Sequence, residues 1–332
     1  MEDKIIMAHG SGGKATSQLI EEIFAAEFSN QYLNEMEDCA VVKATDKIAM
    51  TTDSFVVTPA EYKGGDIGHL AICGTVNDLL MRGATPKYLT CGFILQEGVE
   101  VALLKRVVHS MAATAKEAGV LIVAGDTKVV NGNGEFYINT AGVGVFEEDV
   151  DFSTKKIEAG DAIIVSGNMG DHHATILSAR MGIENNIQSD NAPLVDIVSN
   201  LKKAGLNIHA MRDVTRGGLA TVLKEMAVSA NLTFTVNQQD VPVTPAVKDF
   251  CGLMGLDPLY MGNEGKMVVI LPQDEADEAL GIIKKSNYGQ DACQVGRVSC
   301  ESVSNGKLLM TTSIGGVRNL EVLMGEGLPR IC

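Results

Sequence analysis

The chain has no tryptophan, and its aromatic share is only 5%. A protein of 332 residues must therefore build its cores from Val, Ile, Leu, Met and Ala. Cations are scarce too: 27 Lys and Arg against 42 Asp and Glu leave a formal charge of −15. Such a balance supplies no phosphate-neutralising basic face, which excludes nucleic acid as a partner. Long apolar runs are missing as well; "VLIVAG" and "AIIVSG" are strand-sized, so no membrane is expected. The start, "MEDKIIMAHG", lacks the apolar core and cleavage pattern of a secretory signal. The seven cysteines show no C-x-x-C and no paired metal spacing, and their odd number suits a reducing, cytoplasmic setting. Because His and Cys do not cluster, a general metal chaperone is disfavoured.

Glycine, by contrast, is abundant: 35 residues, many clustered beside charged ones, where backbone can approach a ligand closely. The length predicts two domains with proper cores. Over residues 1–150 the order ββαβαββ predicts an α+β domain, with helices on one face of a mixed sheet. Its first two strands are read as a hairpin in "DCAVVKATDKIAMTTDSFVV". "GGDIGHLAICGTVNDLLMRGA" suits a buried helix, and "EVALLKRVVHSMAATAKEAG" an amphipathic one ended by Gly119. Weak alternation in several strands implies sheets covered on both faces. The polar stretch "EEDVDFSTKKIEAGD" marks the boundary to a second α+β domain, 151–316, followed by a flexible tail, 317–332.

Four stretches carry candidate chemistry. "HGSGGK", from His9 to Lys14, lets backbone N–H groups converge on an anion while the lysine adds a point charge; a simple flexible turn is the alternative. Asp38, Asp53, Asp78 and Asp126 fall at predicted element ends beside Gly, Thr and Asn. Each alone reads as a turn or cap residue. Together they form the hard oxygen set that Mg²⁺ requires around a polyphosphate, and an acidic protein holds ATP only when metal ions bridge the charge. Lys128, two residues beyond Asp126, would then reach a phosphate. In "MRDVTRGGLATVLKE", Asp213 or Thr215 can N-cap the following helix, Gly217 and Gly218 permit close approach, and Arg212 and Arg216 are local cations. In "YMGNEGKMVVI", Glu264 sits in a turn before a buried strand and can act as a general base if its pKa is tuned. His172 and His173 are read as structural, since adjacent helical side chains point apart. The chain ends on a bare thiol, Cys332, which is either chance or a reactive centre on a short arm.

Read together, "AHGSGGKA", "TTDSFVV", "GGDIGHLAICGTVNDL", "GDTKVV", "RDVTRGGLATVL", "NEGK" and the terminal "LPRIC" resemble the hydrogenase maturation factor HypE family, from Ala8 to Cys332. That family lies within the superfamily of aminoimidazole ribonucleotide synthetase and selenophosphate synthetase. The resemblance implies a two-domain PurM-like architecture, a homodimer whose N-terminal sheets pair into a barrel, and ATP bound near the interface. It implies ATP-dependent dehydration of a carboxamide on the enzyme's own C-terminal cysteine to a thiocyanate. A HypF-like carbamoyltransferase would load the thiol, and an iron-carrying HypC–HypD-like scaffold would receive cyanide for the [NiFe]-hydrogenase centre. By the same resemblance His9, Gly12, Gly13, Lys14, Asp53, Asn77, Asp78, Asp126, Thr127, Arg212, Asp213 and Arg216 would contact ATP. Asp38, Asp53, Asp78 and Asp126 would serve Mg²⁺, Lys128 would stabilise developing charge, Glu264 would be the base and Cys332 the carrier. The eight residues from Gly325 span at most roughly 26–29 Å, enough to swing between a cleft and a partner. A selenophosphate-synthetase-like enzyme is the nearest rival, but Ser11-Gly12-Gly13 stand where its reactive Cys or selenocysteine belongs. An ATP-sensing scaffold with a docking tail is the rival from another class. The chain departs from the family's pattern at 60–63, which lack an aromatic-proline run, at Gly262 where alanine is usual, and at His173 where glycine is common.

Overall fold

The computed structural model describes residues 3–10, 14–35, 39–147, 150, 152–299 and 306–322. Helices α1 (Lys14–Leu19) and α2 (Ala26–Phe28) flank a π-helical stretch, Ile20–Ala25, in one helical run. It packs Phe24 against Phe93 with ring centroids 4.7 Å apart. Of the expected hairpin only β1 (Ile48–Phe55) forms. Residues 40–45 have no strand partner among the described residues, and Val41 is 82% exposed, so none of those residues buries an apolar face there. A small ribbon, β2 (Glu61–Tyr62) and β3 (Gly65–Asp66), leads into α3 (Ile67–Met81). Asp66 caps this helix, its carboxylate accepting the N–H groups of Gly68 at 2.7 Å and His69 at 2.9 Å. Then follow β4 (Thr85–Gln96), α4 (Val101–Ala118), β5 (Leu121–Val130) and β6 (Phe136–Val145). Gly119 ends α4 in the left-handed region, as the sequence anticipates.

The N-terminal sheet has the order β1-β6-β4-β5, mixed because β4 and β5 are parallel. Helices α3 and α4 cover one face. The other is open among the described residues, with Met50 70% and Ile94 44% exposed, so the expectation of two covered faces is not met there for this sheet.

The second domain contains β7 (Ala162–Val165), α5 (Asp171–Met181), α6 (Val195–Lys203), β8 (Ala210–Asp213), α7 (Gly218–Ala230), β9 (Thr233–Asn237) and α8 (Pro245–Met254). After them come β10 (Met267–Leu271), α9 (Ala276–Lys285), β11 (Cys293–Val298), β12 (Lys307–Thr311) and β13 (Val317–Leu320). Its seven strands run β13-β12-β9-β11-β7-β10-β8. Residues 317–320, placed by sequence at the start of the tail, thus belong to a strand paired with β12. In β7 and β10 every side chain is buried, which explains their unbroken apolar runs. Ile163, Val165, Val268 and Ile270 meet α7, whereas Ala162, Ile164, Met267 and Val269 join α6, α9 and α3 in one core. That second core crosses the domain boundary, so α3 is packed on both sides and buries nearly its whole surface.

Candidate active site

The crossing of α3 against the second domain creates an acid-lined wall. Asp78, on α3, accepts the Thr51 hydroxyl at 2.7 Å. Asp53, on β1, is raised to about 6 by burial and by Asp78, with Arg216 pulling the other way. Asp213, ending β8, is pushed up to about 7, first by burial and next by Asp78. Glu264 is buried at 4% exposure, and burial followed by the charges of Asp213, Asp190 and Asp53 lifts it well above the carboxylate range. Its Oε1 has no hydrogen-bond partner among the described residues. A dry carboxyl with one free oxygen is a strong base once it loses its proton. The structure therefore gathers Asp53, Asp78, Asp213 and Glu264, with Arg216 the nearby cation.

The local chain conformation explains this convergence. Asn263 locks the turn before Glu264 to the "RDVTRGG" segment: its N–H and its side-chain amide both donate to Val214 O, at 3.0 and 3.1 Å. Val214 N–H answers to Lys266 O at 2.8 Å. Gly217 and Gly218 both take left-handed φ at the mouth of α7, and a Cβ on Gly218 would fall 2.6 Å from Leu259 O. The N-cap is Gly217 itself, so neither Asp213 nor Thr215 caps the helix; Asp213 is left free for the cleft.

Other anticipated residues lie elsewhere. The Asn77 amide is taken up by backbone: it donates to Ala192 O at 3.0 Å and Glu264 O at 3.3 Å, and accepts from Leu194 N–H at 2.9 Å. Arg212 points to the opposite side of β8 from Asp213 and pairs with Glu225 at 3.2 Å. Asp126, Thr127 and Lys128 occupy β5, the far edge of the N-terminal sheet from β1. Asp126 and Lys128 pair with one another at 2.8 Å, which holds the Asp126 carboxyl below the usual range. Asp126 lies level with Ser54, three strands away, or about 14 Å. Within one chain Asp126 hence does not cluster with Asp53 and Asp78. Among the described residues no group of three His, Cys, Asp or Glu side chains has metal-holding geometry.

Beside Asp126 and Lys128 opens a cavity of about 390 Å³, lined by Phe24, Tyr32, Cys91, Phe93 and Ile122 among others. His9 packs near it, accepting the Ile6 N–H on Nδ1 at 3.0 Å; a Cβ on Gly10 would meet Val129 at 2.8 Å. Lys14 opens α1. Gly12, Gly13, Asp38 and Cys332 lie outside the described residues. Asp190 was not anticipated, because "QSDNAP" reads as an ordinary loop; only contact with the Glu264 turn reveals it. No helix among the described residues is long and apolar enough to cross a membrane.

Comparison with known proteins agrees with this architecture. The N-terminal domain model of AIR synthase related proteins matches residues 36–146, and the C-terminal domain model matches 158–306. The carbamoyl dehydratase HypE of Rhodobacter capsulatus is 44% identical over 339 residues, covering 100% of this chain and 99% of the relative. A crystal structure of hydrogenase maturation protein HypE in complex with ATP superposes with a TM-score of 0.95 at 44% identity, covering 98% of this chain and 99% of that one. A HypE–HypF complex superposes at 0.80, again with 44% identity, over 92% of this chain and 99% of that one. The full-length identity and the shared two-domain fold together place the chain in the HypE family of carbamoyl dehydratases, enzymes of hydrogenase maturation.

Proposed function

We propose that this chain converts a carboxamide on its own Cys332 thiol to a thiocyanate, using ATP to activate the amide oxygen. The observation that carries the reading is Glu264, a buried carboxyl with one oxygen unpaired among the described residues, on an acid-lined wall. Hydroxide is too poor a leaving group for direct dehydration. The amide oxygen attacks the γ-phosphorus of ATP and ADP leaves; the nitrogen loses one proton, giving a phosphorylated carbimidate. Loss of the second N–H proton forms the C≡N bond as the C–O bond breaks and phosphate departs. Glu264 takes protons from nitrogen, and Lys128 offsets charge on the transferred phosphoryl group. Asp53, whose hold on its proton is raised by burial and then by Asp78, and Asp78 itself are oxygen donors that fit Mg²⁺, which when bound would neutralise the polyphosphate. ATP binding is supported by the ATP-bound HypE neighbour.

The reading includes a homodimer whose N-terminal sheets meet through their open faces. Exposed Met50, Ile94 and Val130 support it, as does the separation of Lys128 from Asp53 across the sheet. A second copy can bring the two halves of the site together, which one chain alone does not. A HypF-like carbamoyltransferase loads Cys332 in the cytoplasm, supported by the HypE–HypF neighbour, and a HypC–HypD-like scaffold accepts cyanide for hydrogenase iron.

Mass spectrometry of Cys332 tests the reading. After treatment with the carbamoyltransferase and a carbamoyl donor, the carboxamide should lose one water only when Mg-ATP is added. An unmodified Cys332 under conditions of ATP hydrolysis refutes the covalent-arm mechanism.

A further inference from the structure

Residues 189–194 run between the two domains and grip the Glu264 turn from one side. Asp190, with its side chain 4% exposed, presents one carboxylate oxygen to the Glu264 N–H at 3.2 Å and the other to the Gly265 N–H at 3.3 Å. Lys266 stands farther off, with Nζ 4.0 Å from Asp190 Oδ2. The approach is close enough to require glycine at 265: a Cβ there would overlap the Asp190 carbonyl oxygen and come within 2.7 Å of Ala192 N. From the other side Asn77, on α3, donates to Glu264 O at 3.3 Å and also holds Ala192 and Leu194. The backbone of Glu264 is thus pinned at its N–H by Asp190 and at its carbonyl by Asn77. Its carboxyl keeps one oxygen unpaired among the described residues.

We propose that Asp190 is a positioning residue for the dehydration, acting through Glu264 by fixing the backbone of the turn that carries it. The proposal rests on Glu264 being the base. A carboxylate suits the task because each of its two oxygens accepts one of the two N–H groups, whereas asparagine would turn an NH2 donor toward one of them. If Asp190 merely supported the fold, its loss would lower stability, and any loss of rate would be independent of what occupies position 264.

The test is a single-turnover assay on the full chain. Cys332 is loaded with carboxamide by the carbamoyltransferase and loss of water is followed by mass spectrometry at varied Mg-ATP. Asp190→Asn should lower the limiting rate constant roughly 10- to 100-fold, as a small misplacement of a reacting group does. The half-saturating ATP concentration should stay within about twofold. In a Glu264→Gln background the same substitution should change the residual rate by less than about twofold, because the path it acts through is already gone. Asp190→Ser, smaller and still able to accept one bond, replaces the asparagine variant if that variant does not fold. An unchanged rate in the Asp190 variants, or losses that multiply with Glu264→Gln, overturns the proposal alone. A Glu264→Gln protein that keeps the wild-type rate overturns the base assignment and the proposal with it, a result recognisable from that single variant.

Discussion

His173 and Gly262 are bonded to one another twice: the His173 N–H donates to Gly262 O at 3.2 Å, and the Gly262 N–H donates to His173 Nδ1 at 3.3 Å. The resemblance marks both as departures from the family's expected pattern, and the structure puts the two positions in contact, directly before Asn263 and Glu264. The ring is buried at 3% exposure, and Nε2 has no partner among the described residues. Burial, then His172 and Arg180, lower its pKa to about 4.

This pair predicts acid sensitivity. The unfolded chain takes up the proton near 6.5 and the folded chain only near 4, so stability falls as pH drops through that window and is complete above it. Urea denaturation between pH 7 and 4 should show the decline, and His173→Asn should flatten it. An unchanged pH slope in the variant refutes the assignment.

Glu264→Gln separates stability from chemistry. Because the folded-state pKa is raised, the carboxyl favours folding only at low pH, and that contribution is lost as pH rises. The glutamine variant should be more stable than wild type at pH 8 and no more stable at pH 4. Its dehydration rate should fall by about 100-fold or more while ATP still binds. Thermal melts at the two pH values and the single-turnover assay check both halves.

Asp171 opens α5 and is raised to about 6, chiefly by burial and then by Asp190, with Lys266 opposing. Its Oδ1 accepts the Thr244 hydroxyl at 3.3 Å, a bond that asparagine retains. Asp171→Asn should stabilise the protein at pH 7.5 by on the order of 1 kcal/mol, reduced from the full shift by loss of a favourable charge at a helix N-terminus. At pH 4 the gain should vanish, as equilibrium unfolding in urea will show.

Gly218→Ala should cost about 3 kcal/mol or prevent folding, since it adds a Cβ in left-handed backbone against the carbonyl oxygens of Leu259 and Met261. Gly182→Ala, left-handed but with open space around it, is the control and should cost only about 1 kcal/mol. Equal losses in the two would show that conformation alone, and no close approach, demands glycine at 218.

If Lys128 and Glu264 act in one site from different protomers, Lys128→Ala and Glu264→Gln chains should complement each other. Each alone is inactive, whereas mixed dimers hold one site with both residues intact. Remixing equal amounts should restore about a quarter of the wild-type rate, since half the dimers are mixed. No recovery in subunits shown to exchange would put both residues in one chain's site.

Much of the fold was legible because its signals are local. The helix over α3, the Gly119 stop of α4 and the unbroken apolar strands β7 and β10 follow from side-chain period and backbone freedom. The Glu264 turn and the paired glycines at 217–218 were visible as motifs. Three local readings failed. The first half of the expected hairpin found no partner, β13 replaced the start of the tail, and a glycine took the cap expected of Asp213 or Thr215. Each outcome depends on which surfaces other elements leave available, and composition does not encode that.

Residue types and spacing offered an acidic set suited to a metal-bridged polyphosphate, a candidate base at Glu264 and a terminal thiol at Cys332, and the family resemblance supplied the roles expected of them. Only the tertiary structure decided which acids act on each other. Asp53, Asp78, Asp213 and Glu264 converge because α3 is buried between two sheets, and desolvation with repulsion between neighbours then lifts the pKa values of Asp53, Asp213 and Glu264. Asp126 and Lys128, equally plausible in the sequence, sit across the sheet because strand order, a non-local property, sets them at the opposite edge. Asp190 and Asn77 acquire their roles only through contacts between segments far apart in the chain, where burial makes each hydrogen bond count.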